Sequence, residues 1–86
     1  MARRQKLLDR FRQQPADFTW DELMRLLRTF GYVMEATGRT SGSRVRFVRQ
    51  GYPSINLHRP HPGTIVRRYQ LRQVHAFLIA EGLLEP

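Results

Sequence analysis

Three histidines are the side chains of this sequence best suited to moving protons, namely His58, His61 and His75. An imidazole has a pKa near neutrality, so histidine can serve as a base or as an acid. His58 falls on a predicted strand and His61 in a predicted loop between two prolines, and we expect either to act in catalysis. The alternatives are an ordinary surface strand residue and a loop side chain that bonds the backbone. His75 lies on a predicted helix beside an apolar stripe, and we interpret it as structural or merely exposed.

Arginines supply the second chemical group. Arg44 and Arg46 alternate with apolar residues along a predicted strand, which places both guanidinium groups on one face. Each can hold two phosphate oxygens through bidentate hydrogen bonds, and the alternative is a solvated strand face that happens to be basic. Weaker candidates share that face, begin the strand or extend the positive field: Asn56, Ser43, Arg39, Arg49, Arg59, Arg67, Arg68 and Arg72.

These residue types together suit cleavage of RNA without a metal ion. Such cleavage needs a base for the 2′-hydroxyl, cationic donors for the charge that builds on phosphorus, and an acid for the leaving oxygen. Histidine fits the first and last tasks, and arginine fits the second. We therefore expect RNA as the ligand or substrate, and no cofactor.

The charge balance of the chain agrees with a nucleic-acid partner. Fifteen Lys and Arg residues stand against seven Asp and Glu, which gives a net charge of +8. Lys6 is the one lysine, and arginine matches phosphate with a planar fork of donors and also stacks on bases. A GC-rich genome would also favour arginine over lysine, although it does not explain the net charge. An acidic protein partner is a second explanation of that charge.

Several kinds of site are excluded by the residues present. Without cysteine there are no disulfides, thiolate metal sites or cysteine nucleophiles. His58 and His61 have no cysteine companions for zinc, and the carboxylates fall mostly on predicted helices, so we expect no metal site. The segment GRTSG at residues 38–42 lacks the lysine-threonine ending of a phosphate-binding loop.

The beginning of the chain does not resemble a targeting segment. Residues 1–12 carry several charges and no long apolar run, unlike a secretory signal. No part of the chain approaches the roughly 18 apolar residues of a membrane span. We expect a cytoplasmic protein that does not associate with membranes.

Periodicity predicts the element order α-α-β-β-β-α. Apolar residues at helical spacing predict a helix over residues 5–13, and Thr19 with Glu22 forms a capping box for a second helix that ends at Gly31. Strands are expected over residues 32–37, 43–49 and 54–58, with turns at 38–42 and 50–51, and a last helix from about residue 68 to Gly82.

The fold class follows from the two faces of the predicted strands. Helices packed on a sheet need an apolar face to cover. The inward-facing residues are expected to be Val45, Phe47, Ile55 and Leu57, and the open face is expected to present Arg44, Arg46, Asn56 and His58. We predict an α+β fold in which helices pack on one face of a three-stranded antiparallel sheet, as a single domain over residues 1–86. Without its first helix, this is the order of the double-stranded RNA-binding domain.

Three segments resemble the motifs of one known family. The sequence TSGSRVRF at residues 40–47 is similar to the family's glycine-serine-histidine strand motif. HPG at 61–63, followed by YQLRQV at 69–74, resembles its carboxyl-terminal segment. A leucine-rich helix that leads into FGY at 30–32 is similar to the helix that ends in a glycine-aromatic step. In these three segments the chain resembles the HicA toxins of bacterial toxin-antitoxin pairs, and the resemblance covers roughly residues 20–84.

The resemblance implies a double-stranded-RNA-binding-like fold, cleavage of messenger RNA, and neutralisation by a HicB-like antitoxin. It also implies a catalytic histidine directly after the glycine-serine pair, where this chain has Arg44. Arginine stays protonated near neutral pH, so it cannot accept a proton from an attacking hydroxyl. Either another residue does that work, or the chain binds RNA without cutting it.

The leading hypothesis is an endoribonuclease toxin, with His58 or His61 as acid and base and with Arg44 and Arg46 holding phosphate. One alternative is a non-catalytic RNA-binding module that lost cleavage with the change to Arg44. The other is a protein-interaction unit whose basic face meets an acidic partner.

Overall fold

The helices and strands come in the predicted order. The computed structural model describes residues 2–35 and 44–86. Its elements are α1 (Ala2–Arg12), α2 (Trp20–Thr29), β1 (Val33–Met34), β2 (Arg44–Arg49), β3 (Tyr52–His58) and α3 (Arg68–Ala80). The α+β class and the order α-α-β-β-β-α are thus confirmed, and the turn expected at 38–42 lies outside the described residues. No helix in the described ranges is long and apolar enough to cross a membrane.

The capping box predicted for α2 is present. The Thr19 side-chain hydroxyl accepts a hydrogen bond from the backbone N–H of Glu22 at 3.1 Å, and the Glu22 carboxylate accepts one from the Thr19 N–H at 2.9 Å. Both bonds satisfy donors that the first turn of a helix leaves without partners. Arg10 of α1 donates to the same carboxylate at 2.8 Å and lowers the pKa of Glu22, an effect that burial opposes. The start of α2 is therefore tied to α1.

The sheet has the strand order β1-β2-β3, and both pairs are antiparallel. Val45 lies opposite Leu57 and Phe47 opposite Ile55, and these four side chains are buried. The alternate pairs on β2 and β3 expose their side chains on the other face. The two predicted faces of the sheet are thus confirmed.

The strand ends differ from the expected ones. β3 begins at Tyr52, two residues before the predicted start, and therefore contains Pro53. Proline has no N–H for a ladder and is tolerated on an edge strand, which is the place β3 takes in the sheet. β1 is limited to two residues. The Tyr32 hydroxyl donates to the Pro53 carbonyl at 2.8 Å and so connects the two edges of the sheet, while burial raises the pKa of Tyr32.

The buried apolar side chains form one cluster between the sheet and the helices. It joins the inward residues of β2 and β3 to residues of all three helices, among them Phe11, Leu23, Leu27, Leu71, Val74 and Leu78. Gln70 of α3 is a buried polar residue on this layer, with 3% of its surface exposed. The position of Gln70 matters because it links the core to the candidate site.

Candidate functional site

A cleft of about 290 Å³ lies between the end of β3 and the start of α3. Its lining among the described residues consists of His58, Arg59, Pro60, His61, Arg67, Tyr69 and Gln70. Two histidines, two arginines and a tyrosine therefore share one concave surface. Both histidines to which the sequence assigns a chemical role belong to this cleft, together with two of the weaker arginine candidates.

Gln70 fixes the end of β3 against α3. The His58 backbone N–H donates to the Gln70 side-chain oxygen at 2.7 Å, and the Gln70 side-chain nitrogen donates to the His58 carbonyl at 2.9 Å. One buried amide thus satisfies both backbone groups of His58, much as a residue on a neighbouring strand would. The two bonds hold the backbone of His58 at a set distance from the first turn of α3.

The loop that carries His61 is anchored to the start of α2 and the residues just before it. The backbone N–H of Trp20 donates to the Thr64 carbonyl at 2.8 Å, and the N–H of Val66 donates to the Phe18 carbonyl at 2.8 Å. Val66 is buried in the core. The carboxyl-terminal side of the loop is therefore held by backbone pairing and by apolar packing.

The electrostatic environment of the cleft favours an anion. Arg67 is the N-cap residue of α3, makes no capping hydrogen bond with its side chain, and precedes a first turn that contains no acidic residue. The amino-terminal end of a helix carries a partial positive charge, which adds to the charges of Arg59 and Arg67. A phosphodiester of RNA is a suitable ligand for such a surface.

Register pairing brings two more of the predicted residues close to His58. Arg44 lies directly opposite His58, and Arg46 lies opposite Asn56, with all four side chains exposed. Opposite residues of an antiparallel pair have Cα atoms about 4.5–5.5 Å apart. Arg46 also faces the Glu35 carboxylate, with 3.8 Å between nitrogen and oxygen. That carboxylate partly neutralises the charge of the Arg46 guanidinium group.

The remaining predicted residues have different positions. The Arg68 guanidinium lies 3.4 Å from the Gln14 carbonyl oxygen, and Arg68 is not among the described residues that line the cleft. Arg49 donates to the Phe30 carbonyl at 3.0 Å and stacks on the Tyr52 ring, so it supports the end of α2. Ser43 and Arg39 lie outside the described residues.

His75 takes the structural position that the sequence predicts. Its ring lies 5.7 Å from the ring of Phe11 on α1. Helix α3 thus presents His75 to the core and Tyr69 to the cleft. His75 is a useful control for experiments on the other two histidines.

Two residues of the cleft, Gln70 and Tyr69, were not singled out from the sequence, although each had a signal. Gln70 lies four residues before Val74 on the apolar stripe of α3, and a polar residue with core spacing indicates a buried hydrogen-bonding role. Tyr69 directly follows two arginines and lies off that stripe, which indicates an exposed aromatic ring on a basic surface.

Metal ligands show no clustering in the part of the chain that the structure describes. No group of three or more His, Cys, Asp or Glu side chains there could hold a metal ion. The polar side-chain groups among the described residues that line the cleft are imidazoles, guanidinium groups, a phenol and the Gln70 amide.

Comparison with known proteins identifies one family. Residues 20–81 match the family model described as the HicA toxin of bacterial toxin-antitoxin. No curated protein and no solved structure matches the chain. The match spans α2, the sheet and the whole of α3. It therefore contains every described residue that lines the cleft.

Proposed function

The chain belongs to the HicA toxin family, and from this premise we propose that it is an endoribonuclease that cleaves messenger RNA in the cytoplasm without a metal ion and is neutralised by a HicB-like antitoxin. Membership itself indicates the toxin of a toxin-antitoxin pair, with RNA as the general target. The cleavage, the nature of its catalyst and the antitoxin are the content of the proposal.

One observation supports the proposal most directly. His58 and His61 line the same cleft as Arg59 and Arg67. Proton transfer and stabilisation of negative charge, the two requirements of RNA cleavage, are therefore available on one surface.

The proposed reaction uses the 2′-hydroxyl of the substrate as the nucleophile. One imidazole removes the proton of that hydroxyl, and its oxygen forms a new bond to phosphorus. The bond from phosphorus to the 5′-oxygen of the next nucleotide breaks, and the second imidazole gives that oxygen a proton. The products are a 2′,3′-cyclic phosphate and a free 5′-hydroxyl. Arg59 and Arg67 stabilise the charge on the non-bridging oxygens.

Arg44 holds phosphate in this proposal and takes no part in proton transfer. It occupies the position of the family's catalytic histidine, directly opposite His58 on the sheet. We infer that His58 supplies from β3 the imidazole that the family supplies from β2. The guanidinium at position 44 then binds the same phosphodiester.

Growth of a bacterial host tests the proposal in its simplest form. Induction of the chain alone is expected to stop growth and to deplete messenger RNA, and His58→Ala or His61→Ala should relieve both effects. His75→Ala is the matched control, because this histidine packs on Phe11 away from the cleft, and it should remain toxic. Arrest that persists in both cleft variants would contradict the assignment of these histidines.

A second candidate is a non-catalytic RNA-binding module, and Arg44 at the family histidine position is the observation that favours it. Purified protein would then bind RNA with a steep salt dependence and leave it intact, both in EDTA and in magnesium.

An acidic partner on the basic face is compatible with either candidate, since the antitoxin could cover that face. RNA binding that survives saturation with the antitoxin would argue against this form of inhibition.

A further inference from the structure

We propose that Tyr69 is a base-stacking platform, so that the cleft binds single-stranded RNA with one nucleobase on the Tyr69 ring and the adjoining phosphate at the histidines and arginines. This inference rests on the proposed function and adds a nucleobase subsite to it. The inference predicts that the substrate is single-stranded, because a base that is paired inside a duplex is not available to stack on a side chain.

The exposure of Tyr69 is the first observation behind this inference. About half of the Tyr69 surface is exposed (51%), whereas only 3% of the surface of the next residue, Gln70, is exposed. Tyr69 is therefore not part of the core, and its ring is available at the wall of the cleft. An exposed aromatic ring on a basic surface offers a contact that every base can use, because every base has a π face.

The rigid link between Tyr69 and His58 is the second observation. Tyr69 immediately precedes Gln70, whose side chain makes two hydrogen bonds to the His58 backbone. The backbone at Tyr69 and the end of β3 thus have a fixed relation to each other. A base stacked on Tyr69 would place its own phosphodiester along the wall formed by His58, His61 and Arg67.

The charges around Tyr69 suit this arrangement. Arg67 lines the same cleft, and the first turn of α3 contains no acidic residue that would repel a phosphate. Basic grooves with interleaved aromatic rings are the usual means of holding single strands without sequence preference. Double-stranded RNA, in contrast, is recognised mainly by shape and by contacts to phosphate and 2′-hydroxyl groups.

Fluorescence of 2-aminopurine tests the inference directly. The probe is a short single-stranded RNA with 2′-O-methyl groups, which block the proposed nucleophile, and with one 2-aminopurine base. Binding to the wild-type chain is expected to quench the fluorescence through stacking on Tyr69. Tyr69→Phe should keep the quenching, whereas Tyr69→Leu and Tyr69→Ala should lose it and bind about tenfold more weakly. Ile65→Ala is the control, since Ile65 is exposed to a similar extent in the same region.

The outcomes separate this inference from the proposed function. Equal quenching and equal affinity in Tyr69→Leu and the wild-type chain would overturn the inference alone, as would tighter binding of a duplex of the same length. An abasic version of the oligonucleotide should bind the wild-type chain and Tyr69→Leu equally. If the wild-type chain bound neither the single strand nor its abasic version, the proposed function would fall together with the inference.

Discussion

His58 is the residue on which the proposed chemistry depends most. The family pattern expects a histidine on β2, and this chain has Arg44 there. The antiparallel register places His58 directly across from that position, on the same face. An imidazole thus lies one strand away on the same face, and we propose that it serves in proton transfer in place of a histidine at position 44.

We predict that Gln70 contributes both to the stability of the fold and to the position of His58. Gln70→Leu removes the hydrogen-bond partners of the part-buried N–H and C=O of the His58 backbone. We expect a loss of about 1–3 kcal/mol in the free energy of unfolding, measured by urea denaturation. Gln73→Leu, at an exposed position on the same helix, should change that free energy little.

The same variant has a kinetic consequence that stability alone does not produce. At a temperature where Gln70→Leu is fully folded by circular dichroism, kcat for RNA cleavage should fall by about 10- to 100-fold, because His58 is displaced. Affinity for the 2′-O-methyl oligonucleotide should change little. An unchanged kcat in the folded variant would show that Gln70 stabilises the fold without positioning His58.

At the level of elements, the start of α2 leads to a prediction about pH. The Arg10 side chain lowers the pKa of Glu22 in the folded protein. The stabilisation from this carboxylate is therefore fully present above the ordinary glutamate pKa of about 4.3 and is lost as the pH falls through the lower folded value. Glu22→Gln should cost about 1 kcal/mol of unfolding free energy near neutral pH.

Denaturation at several pH values checks this prediction. The difference in unfolding free energy between the wild-type chain and Glu22→Gln should shrink as the pH is lowered below about 4. Asp21→Asn, at an exposed position in the same turn, should have a smaller effect near neutral pH. A difference that is constant or grows towards acid would contradict the role assigned to the Arg10–Glu22 pair.

The elements also show which parts of the structure the sequence predicts well. The capping box, the strand alternation and the glycine after α2 are local signals, so α2, β2 and α3 were predicted within about two residues. The start of β3 was predicted too late, because the tolerance for Pro53 depends on its being at the edge of the sheet.

The candidate site was predicted less completely than the fold. Residue type pointed to His58, His61, Arg59 and Arg67, which the structure places in one cleft. Residue type also pointed to Arg68, whose guanidinium instead lies near the Gln14 carbonyl. Which side of α3 each arginine occupies depends on how the helix packs on the core. The spacing of the arginines in the sequence did not show this.

At the level of the whole molecule, positive charge is concentrated in one part of the chain. No acidic residue occurs between Glu35 and Glu81, a segment that holds eight arginines and all three histidines. Carboxylates in the amino-terminal part of the chain make local contacts instead, as in those of Arg10 with Asp17 and Glu22. The sheet and the cleft therefore carry most of the net charge of +8.

This distribution predicts a strong effect of salt on RNA binding. If about four phosphates are neutralised, the logarithm of the affinity for single-stranded RNA should fall with the logarithm of the salt concentration with a slope of about −3. Arg44→Ala should reduce the steepness by nearly one phosphate contact, and Arg46→Ala by less, because Glu35 already faces Arg46. Affinities measured by fluorescence anisotropy at several salt concentrations check both points. A slope near zero would be incompatible with a phosphate-binding surface.

Cleavage of an RNA with a single reactive linkage is the most direct test of the claim that the cleft is a metal-independent ribonuclease site. The substrate is a short oligonucleotide with one ordinary ribose and 2′-O-methyl groups elsewhere, incubated with purified protein in excess EDTA. We expect a 2′,3′-cyclic phosphate at that ribose, formed by the wild-type chain and by His75→Ala but not by His58→Ala or His61→Ala. Intact RNA with the wild-type chain under conditions where it binds, or cleavage that persists in both cleft variants, would contradict it.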